Sequence, residues 1–270
     1  MIVATMATLA SRVALLRESV ASLLPQVDAL CVYLNGHESI PDFLRHPKVL
    51  YAILSSDAGY RAGEAKFWFW DGDAFKAPPT PWDPDTIGLV VDDDIVYPTD
   101  YARRMIAALE RRPGTVACVH GSILSEPFAS WRASRRCSHF QDPLEEDLRV
   151  HVPGTGTIAF RAGDVLPYSI QQNHRWSHLC DIAFAVFAHR RELEVWAVPR
   201  RARWLLGLST PGGGFAVAKQ RIMADVDQIE TETIKGAAPW PSLPIPAAIE
   251  TRAAEQRSRA ARLRQSRGKR

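Results

Sequence analysis

Cysteine is scarce in this chain, four among 270 residues. Cys31, Cys118, Cys137 and Cys180 are scattered and form no Cys-x-x-Cys pair, which argues against a disulfide scaffold and against a zinc site. Reduced thiols in a cytoplasmic protein are the expectation. Long apolar runs are also lacking. The longest uncharged stretch, Trp204 to Ala218, spans 15 residues and is broken by Gly207 and Pro211-Gly212-Gly213-Gly214, so it is unsuited to crossing a bilayer. No basic segment precedes the apolar start Met1-Ile2-Val3-Ala4-Thr5-Met6, and Arg12, Arg17 and Glu18 interrupt what would be a signal-peptide core. Internal repeats and a glycine-rich phosphate loop are absent too.

The residues that are present suffice for a sizeable core: 46% are hydrophobic and 23% charged, which excludes a chain disordered throughout. The net charge of +3 conceals a division. Residues 251–270 hold eight basic side chains against one acid, Glu255, a local charge of +7, so the preceding 250 residues carry −4. A mildly acidic body thus precedes a basic tail.

Hydrophobic patterning predicts strands at Ile2–Met6, Ala29–Leu34, Val49–Leu54, Ile87–Val91 and Val116–Val119. Helices are expected from Ser11 to about Leu24, stopped by Pro25, and from about Thr99 to Arg111, opened by Pro98 and Asp100. This alternation implies an α/β fold, with a mostly parallel sheet covered on both faces. The second half is less regular. Glu126–Asp147 reads as a loop or small lid, Val150–Phe160 as a strand interrupted by Pro153-Gly154, Asp181–Arg190 as a helix and Leu193–Val198 as a strand. Pro-rich Trp240–Pro246 is expected to separate the body from the tail.

Most informative is Ile87-Gly88-Leu89-Val90-Val91-Asp92-Asp93-Asp94-Ile95-Val96-Tyr97-Pro98. An apolar strand delivers three consecutive aspartates to its C-terminal end, where open α/β sheets bind ligands. Adjacent carboxylates repel one another unless a cation or hydrogen-bond donors compensate. Hard oxygen ligands suit Mn²⁺ or Mg²⁺, which would bridge the phosphates of a nucleotide. An acidic polar loop is the plainer reading. Four consecutive aromatics, Phe67-Trp68-Phe69-Trp70, cannot all face one ligand and are expected in the core. His174 and His178, four apart, could share a helix face, but no third metal ligand sits at suitable spacing.

An Asp-x-Asp at the end of the fourth strand resembles the nucleotide-sugar-dependent glycosyltransferases of GT-A fold. More specifically, an ordered set of blocks resembles the bacterial capsule N-acetylglucosaminyltransferases that build heparosan. These blocks are Ile2-Val3-Ala4-Thr5-Met6, Gln26-Val27-Asp28 with Leu34-Asn35, and Val91 through Tyr101. They continue with Val119-His120-Gly121, Gly154-Thr155-Gly156-Thr157, Cys180-Asp181-Ile182-Ala183-Phe184, and Val198-Pro199-Arg200 followed by Trp204-Leu205. The resemblance implies a GT-A-like domain over residues 1–235, with a nucleotide-binding half to about 120 and an acceptor half beyond. Residues 236–270 are then a Pro-rich linker and basic tail.

Residue by residue, the resemblance places Thr5, Met6 and Arg12 beside uridine, Asp57 on the uracil, Lys66 on the diphosphate and Asp92 near the ribose. Asp93 would face the donor sugar, and Asp94 would be the direct metal ligand. His120 and Gly154, Thr155, Gly156 and Thr157 would meet sugar or acceptor. Asp181 would handle the acceptor hydroxyl or stabilise the reacting centre, and Arg200, with Arg201 and Arg203 nearby, would clamp the leaving diphosphate. Each also has a plain structural reading as a strand-end, turn, core or surface residue.

The implied activity is metal-dependent transfer of a sugar, GlcNAc from UDP-GlcNAc, to a growing polysaccharide acceptor. A second glycosyltransferase would be needed if the product alternates. A metal-dependent phosphohydrolase or nucleotidyltransferase, and a non-catalytic nucleotide-sugar-binding partner of a polymerase, are the competing readings. The tail, rich in Ala, Arg, Gln and Glu, reads as a solvated helix. Peripheral contact with the inner membrane face or an acidic partner is a second reading. Nucleic acid is disfavoured, because the tail has no aromatics and the body is acidic.

Overall fold

The computed structural model describes residues 1–54, 62–71, 82–166, 168, 179–209 and 226–267. The chain runs β1 (Ile2–Leu9), α1 (Val13–Leu23), β2 (Ala29–Asn35), β3 (Val49–Leu54), a 3₁₀ segment (Ala62–Trp70), β4 (Ile87–Val91), β5 (Ile95–Val96) and α2 (Tyr101–Arg111). It continues with β6 (Val116–Cys118), β7 (Gly121–Leu124), β8 (Arg135–Ser138), β9 (Leu148–Val150), β10 (Val152–Pro153), β11 (Thr157–Arg161) and α3 (Cys180–Arg190). Strands β12 (Val195–Ala197) and β13 (Leu206–Gly207), helix α4 (226–236) and helix α5 (Ala247–Arg267) complete it.

Eight strands form one open sheet in the order β3-β2-β1-β4-β11-β6-β12-β9. β3, β2, β1 and β4 pair in parallel, β11 lies antiparallel between β4 and β6, β12 is parallel to β6, and β9 is antiparallel at the edge. The sheet is thus mostly parallel and flanked by helices, the α/β class that the sequence implies. Successive residues alternate between two cores, as the pleat requires. Ala4, Met6, Leu30, Val32, Leu89 and Val91 meet Leu16, Val20, Met105 and Leu109 of α1 and α2. Val3, Cys31, Tyr33, Val90 and Phe160 meet Phe67, Trp68, Trp70 and Phe184 on the other face. The aromatic run Phe67–Trp70 is buried, as expected.

Three boundaries differ from the sequence expectation in ways that matter for the site. β1 continues past Met6 to Leu9, because Ala7, Thr8 and Leu9 still pair with Tyr33, Leu34 and Asn35. Its C-terminal end therefore presents Thr8 rather than Thr5. The expected loop over 126–147 contains a helical turn, Trp131–Ser134, and β8, which joins β7 and β10 in a three-stranded sheet. Asp100 stands at the N-cap of α2 but makes no capping hydrogen bond; its carboxylate accepts from Trp204 Nε1 at 2.9 Å instead.

The basic tail is not separated from the body at the Pro-rich stretch. Leu243 and Ile245 pack against the second core, and Ile249 of α5 is buried in it. Arg136 Nε donates to both Glu250 oxygens at 2.9 and 3.0 Å, and Arg252 pairs with Asp142 at 3.3 Å. Farther along α5, Ala254, Glu255, Gln256, Ser258 and Arg262 are exposed. A few apolar residues thus hold the first turn, which the composition of the whole tail conceals.

Candidate active site

The C-terminal edge of β1 and β4 gathers the acidic residues. The three aspartates follow β4 directly, and their neighbours sort them by depth. Asp93 turns inward: its side chain is 7% exposed, against 41% for Asp92 and 37% for Asp94. Thr8 Oγ1 donates to Asp93 Oδ2 at 2.6 Å, and Arg12 Nη2 lies 2.7 Å from both Asp93 Oδ1 and Asp94 Oδ2. Lys66 Nζ, from the 3₁₀ segment, lies 2.7 Å from Asp92 Oδ1. Two buried or half-buried cations therefore hold three carboxylates together, leaving one formal negative charge.

Burial is the largest influence on these groups. It pushes the Asp93 carboxyl up to about 6, resisted by Arg12 and Thr8. Asp94 is also raised, by burial and then by the Asp92 charge, again against Arg12. For Lys66, burial favours the neutral amine, but Asp92, Cys180 and Asp181 outweigh it and hold the ammonium above its ordinary value. The same balance, with Asp93 and Asp94 prevailing over burial, raises Arg12.

A turn from β10 to β11 closes the far side. Gly156 lies against Asp92 so closely that a Cβ there would sit 1.9 Å from Asp92 Oδ2. Tyr97, which sequence reasoning assigns no role, ties this turn to the aspartates: its hydroxyl accepts from Asp92 N at 2.8 Å and donates to Gly156 O at 2.7 Å. Thr155 donates through N at 2.9 Å and Oγ1 at 2.6 Å to Asp181 Oδ1, in the first turn of α3. Thr157 Oγ1 accepts from His120 N at 3.0 Å and donates to Gly154 O at 3.0 Å. A Cβ on Gly154 would come 2.7 Å from the His120 ring. His120 Nε2 lies 3.5 Å from Cys137 Sγ. Its buried Nδ1 has no hydrogen-bond partner among the described residues. Burial pulls its pKa down to about 4, opposed by Asp181.

The tertiary structure thus brings together Arg12, Lys66, Asp92, Asp93, Asp94, Thr155, Gly156 and Asp181, with His120, Gly154 and Thr157 behind the turn. Others lie apart. Thr5 and Met6 are fully buried in mid-strand: Thr5 Oγ1 accepts from Trp70 Nε1 at 2.9 Å and Met6 packs in the first core. The extra three residues of β1 account for this. Arg200 is buried and directs its donors to Val198 O at 3.1 Å, Ser138 Oγ at 2.9 Å and His139 O at 2.7 Å, none of them at the aspartates. Asp57, His174 and His178 lie outside the described residues. Thr8 is the other residue that sequence reasoning passes over, and the pairing of residues 7–9 with β2 is what brings it to the strand end.

Among the described residues, no group of three or more His, Cys, Asp or Glu side chains is placed to hold a metal ion by itself. Mg²⁺ usually binds through one or two carboxylates and completes its shell with water and substrate phosphates. The outward, half-exposed Asp92 and Asp94 fit that arrangement, whereas the inward Asp93 does not. No helix among the described residues is long and apolar enough to cross a membrane.

No protein-family model matches this chain, and no curated protein sequence matches it. Among solved structures, a 4-diphosphocytidyl-2C-methyl-D-erythritol synthase is similar at 11% identity, over 80% of this chain and 96% of that one, with a TM-score of 0.43. A likeness of that degree says nothing of activity, so any functional reading rests on the site.

Proposed function

We propose that this chain is a metal-dependent glycosyltransferase that moves a sugar, GlcNAc from UDP-GlcNAc, to a growing polysaccharide acceptor. The observation that supports it most is the pair of outward carboxylates at the end of β4, joined through Lys66 and the 154–157 turn to Asp181. A nucleoside diphosphate needs positive charge where its leaving oxygen develops negative charge, and an acceptor hydroxyl needs a carboxylate close by. This cluster provides both kinds of group on one sheet edge.

Mn²⁺ or Mg²⁺, when bound at Asp94 and Asp92, supplies charge neutralisation for the diphosphate. The protein's own residues do the rest. Asp93, buried between Thr8 and Arg12, fixes the guanidinium beside Asp94, where it faces the nucleotide. Lys66 is kept charged and delivers its ammonium to the same edge. Thr155 fixes one oxygen of Asp181, which orients the carboxylate toward the acceptor.

The test is release of UDP from a panel of UDP-sugars in Mn²⁺ buffer, with and without an oligosaccharide ending in glucuronate. Acceptor-dependent release from UDP-GlcNAc is expected. No release from any donor would overturn the reading, and hydrolysis indifferent to acceptor would favour a phosphohydrolase. Asp94→Asn is expected to remove the Mn²⁺-dependent part of UDP binding by calorimetry, at least tenfold, while the fold persists; unchanged binding would refute its assignment as metal ligand.

A further inference from the structure

The arginine-rich part of α5 has no counterpart in the site chemistry, yet it is built on a fixed base. Ile249, the Arg136–Glu250 pair and the Arg252–Asp142 pair hold the first turn to the body. The helix then continues to Arg267. At 1.5 Å per residue, the stretch from Ala254 to Arg267 is about 20 Å long, and Ala254, Glu255, Gln256, Ser258 and Arg262 in it are exposed. Its sequence carries Arg257, Arg259, Arg262, Arg264 and Arg267 against the single acid Glu255. At 100° per residue these arginines are spread around the axis, and Leu263 is the one large apolar residue beyond Ile249.

A helix of this kind has no apolar stripe to lay in a protein groove or to insert among acyl chains. It has no aromatic residue on which a base could stack. What it can satisfy is a broad, dense, negative surface that accepts cations at any rotation about the axis. The body's own net charge of −4 is screened beyond about 8 Å at physiological ionic strength, which is short against the length of this stretch of helix. We propose that α5 from Ala254 to Arg267 docks the protein on anionic lipid headgroups, by charge alone and without insertion. This surface is independent of the transferase reading, and its test involves no turnover.

The experiment is co-sedimentation of the full chain with phosphatidylcholine vesicles and with vesicles containing about 30% phosphatidylglycerol, at low and high salt. Binding is expected only to the anionic vesicles, and is expected to weaken steeply with salt. A variant carrying R257Q, R259Q, R262Q, R264Q and R267Q keeps the anchored first turn and good helix formers. Because each cationic residue near such a surface contributes about fivefold, the variant is expected to bind at least about 100-fold more weakly. The matching Arg→Lys variant keeps the charge and is expected to bind within about threefold of the parent chain. Equal binding to neutral vesicles, no loss in the glutamine variant, or loss in the lysine variant would each overturn the proposal. So would tighter binding to a duplex oligonucleotide or a transfer RNA than to the anionic vesicles at the same salt.

Discussion

Gly156→Ala offers a direct test of how the site is assembled. Gly156 has no positive φ, so alanine meets no backbone penalty there; the difficulty is steric. The new Cβ would stand 1.9 Å from Asp92 Oδ2 and 2.2 Å from its Cγ. Asp92 has a short side chain, so it can escape only by rotating away. That rotation abandons Lys66, whose side chain is 4% exposed. Removing one partner of a buried pair costs about 3–5 kcal/mol, and the half-exposure of Asp92 argues for the lower end, about 3 kcal/mol. Urea unfolding of the parent chain, Gly156→Ala, Asp92→Ala and the double variant measures this. If the clash with Asp92 is the cause, adding Gly156→Ala to Asp92→Ala should cost under about 0.5 kcal/mol, since the obstacle is gone. Equal costs in both backgrounds, or a tolerated Gly156→Ala in the parent chain, would refute the reasoning.

Thr8→Val removes the 2.6 Å hydrogen bond to the buried Asp93, which should cost about 1–2 kcal/mol and move the Asp93 carboxyl above its present value of about 6, as read by NMR titration. For His120, burial lowers the folded-state pKa to about 4 from the ordinary 6.5. The native state thus binds fewer protons, and the stability present above pH 6.5 is lost as pH falls from 6.5 toward 4, by at most about 3 kcal/mol. The drop in Tm between pH 7 and pH 4.5 should accordingly be smaller in His120→Gln; an identical drop would exclude His120 as its source. Arg200→Lys forfeits a planar fork that serves Ser138 and His139, so a loss of about 2–3 kcal/mol is expected in urea unfolding. UDP affinity should change less than about threefold, and a selective loss of affinity would return Arg200 to the site.

Much of the fold was legible in the chain because it depends on local pattern. Unbroken apolar runs in Ala29–Leu34 and Ile87–Val91 mark strands buried on both faces, and the spacing of Leu16, Val20 and Leu23 marks α1. The placement of Asp92, Asp93 and Asp94 at a strand end was legible for the same reason: apolar strand and polar exit adjoin in sequence. Three residues of β1 were not, because Ala7, Thr8 and Leu9 show no distinctive local pattern and are held by pairing with β2. That shift replaced Thr5 by Thr8 at the site.

The division of labour within the triplet is the clearest case of what folding alone settles. By sequence, three identical neighbours are indistinguishable, and their cluster is merely acidic. Asp93 became the buried one because Thr8, 85 residues away, donates to it. Lys66 chose Asp92 across 26 residues, and Thr155 chose Asp181 across another 26. The tail divides similarly: its charge is a matter of composition, but its fixed base depends on Ile249 and Glu250 finding the core and Arg136. Residue type determines which side chains carry charge and which strands are buried. Which charge meets which partner depends on strand register and helix placement over distances that local pattern does not encode.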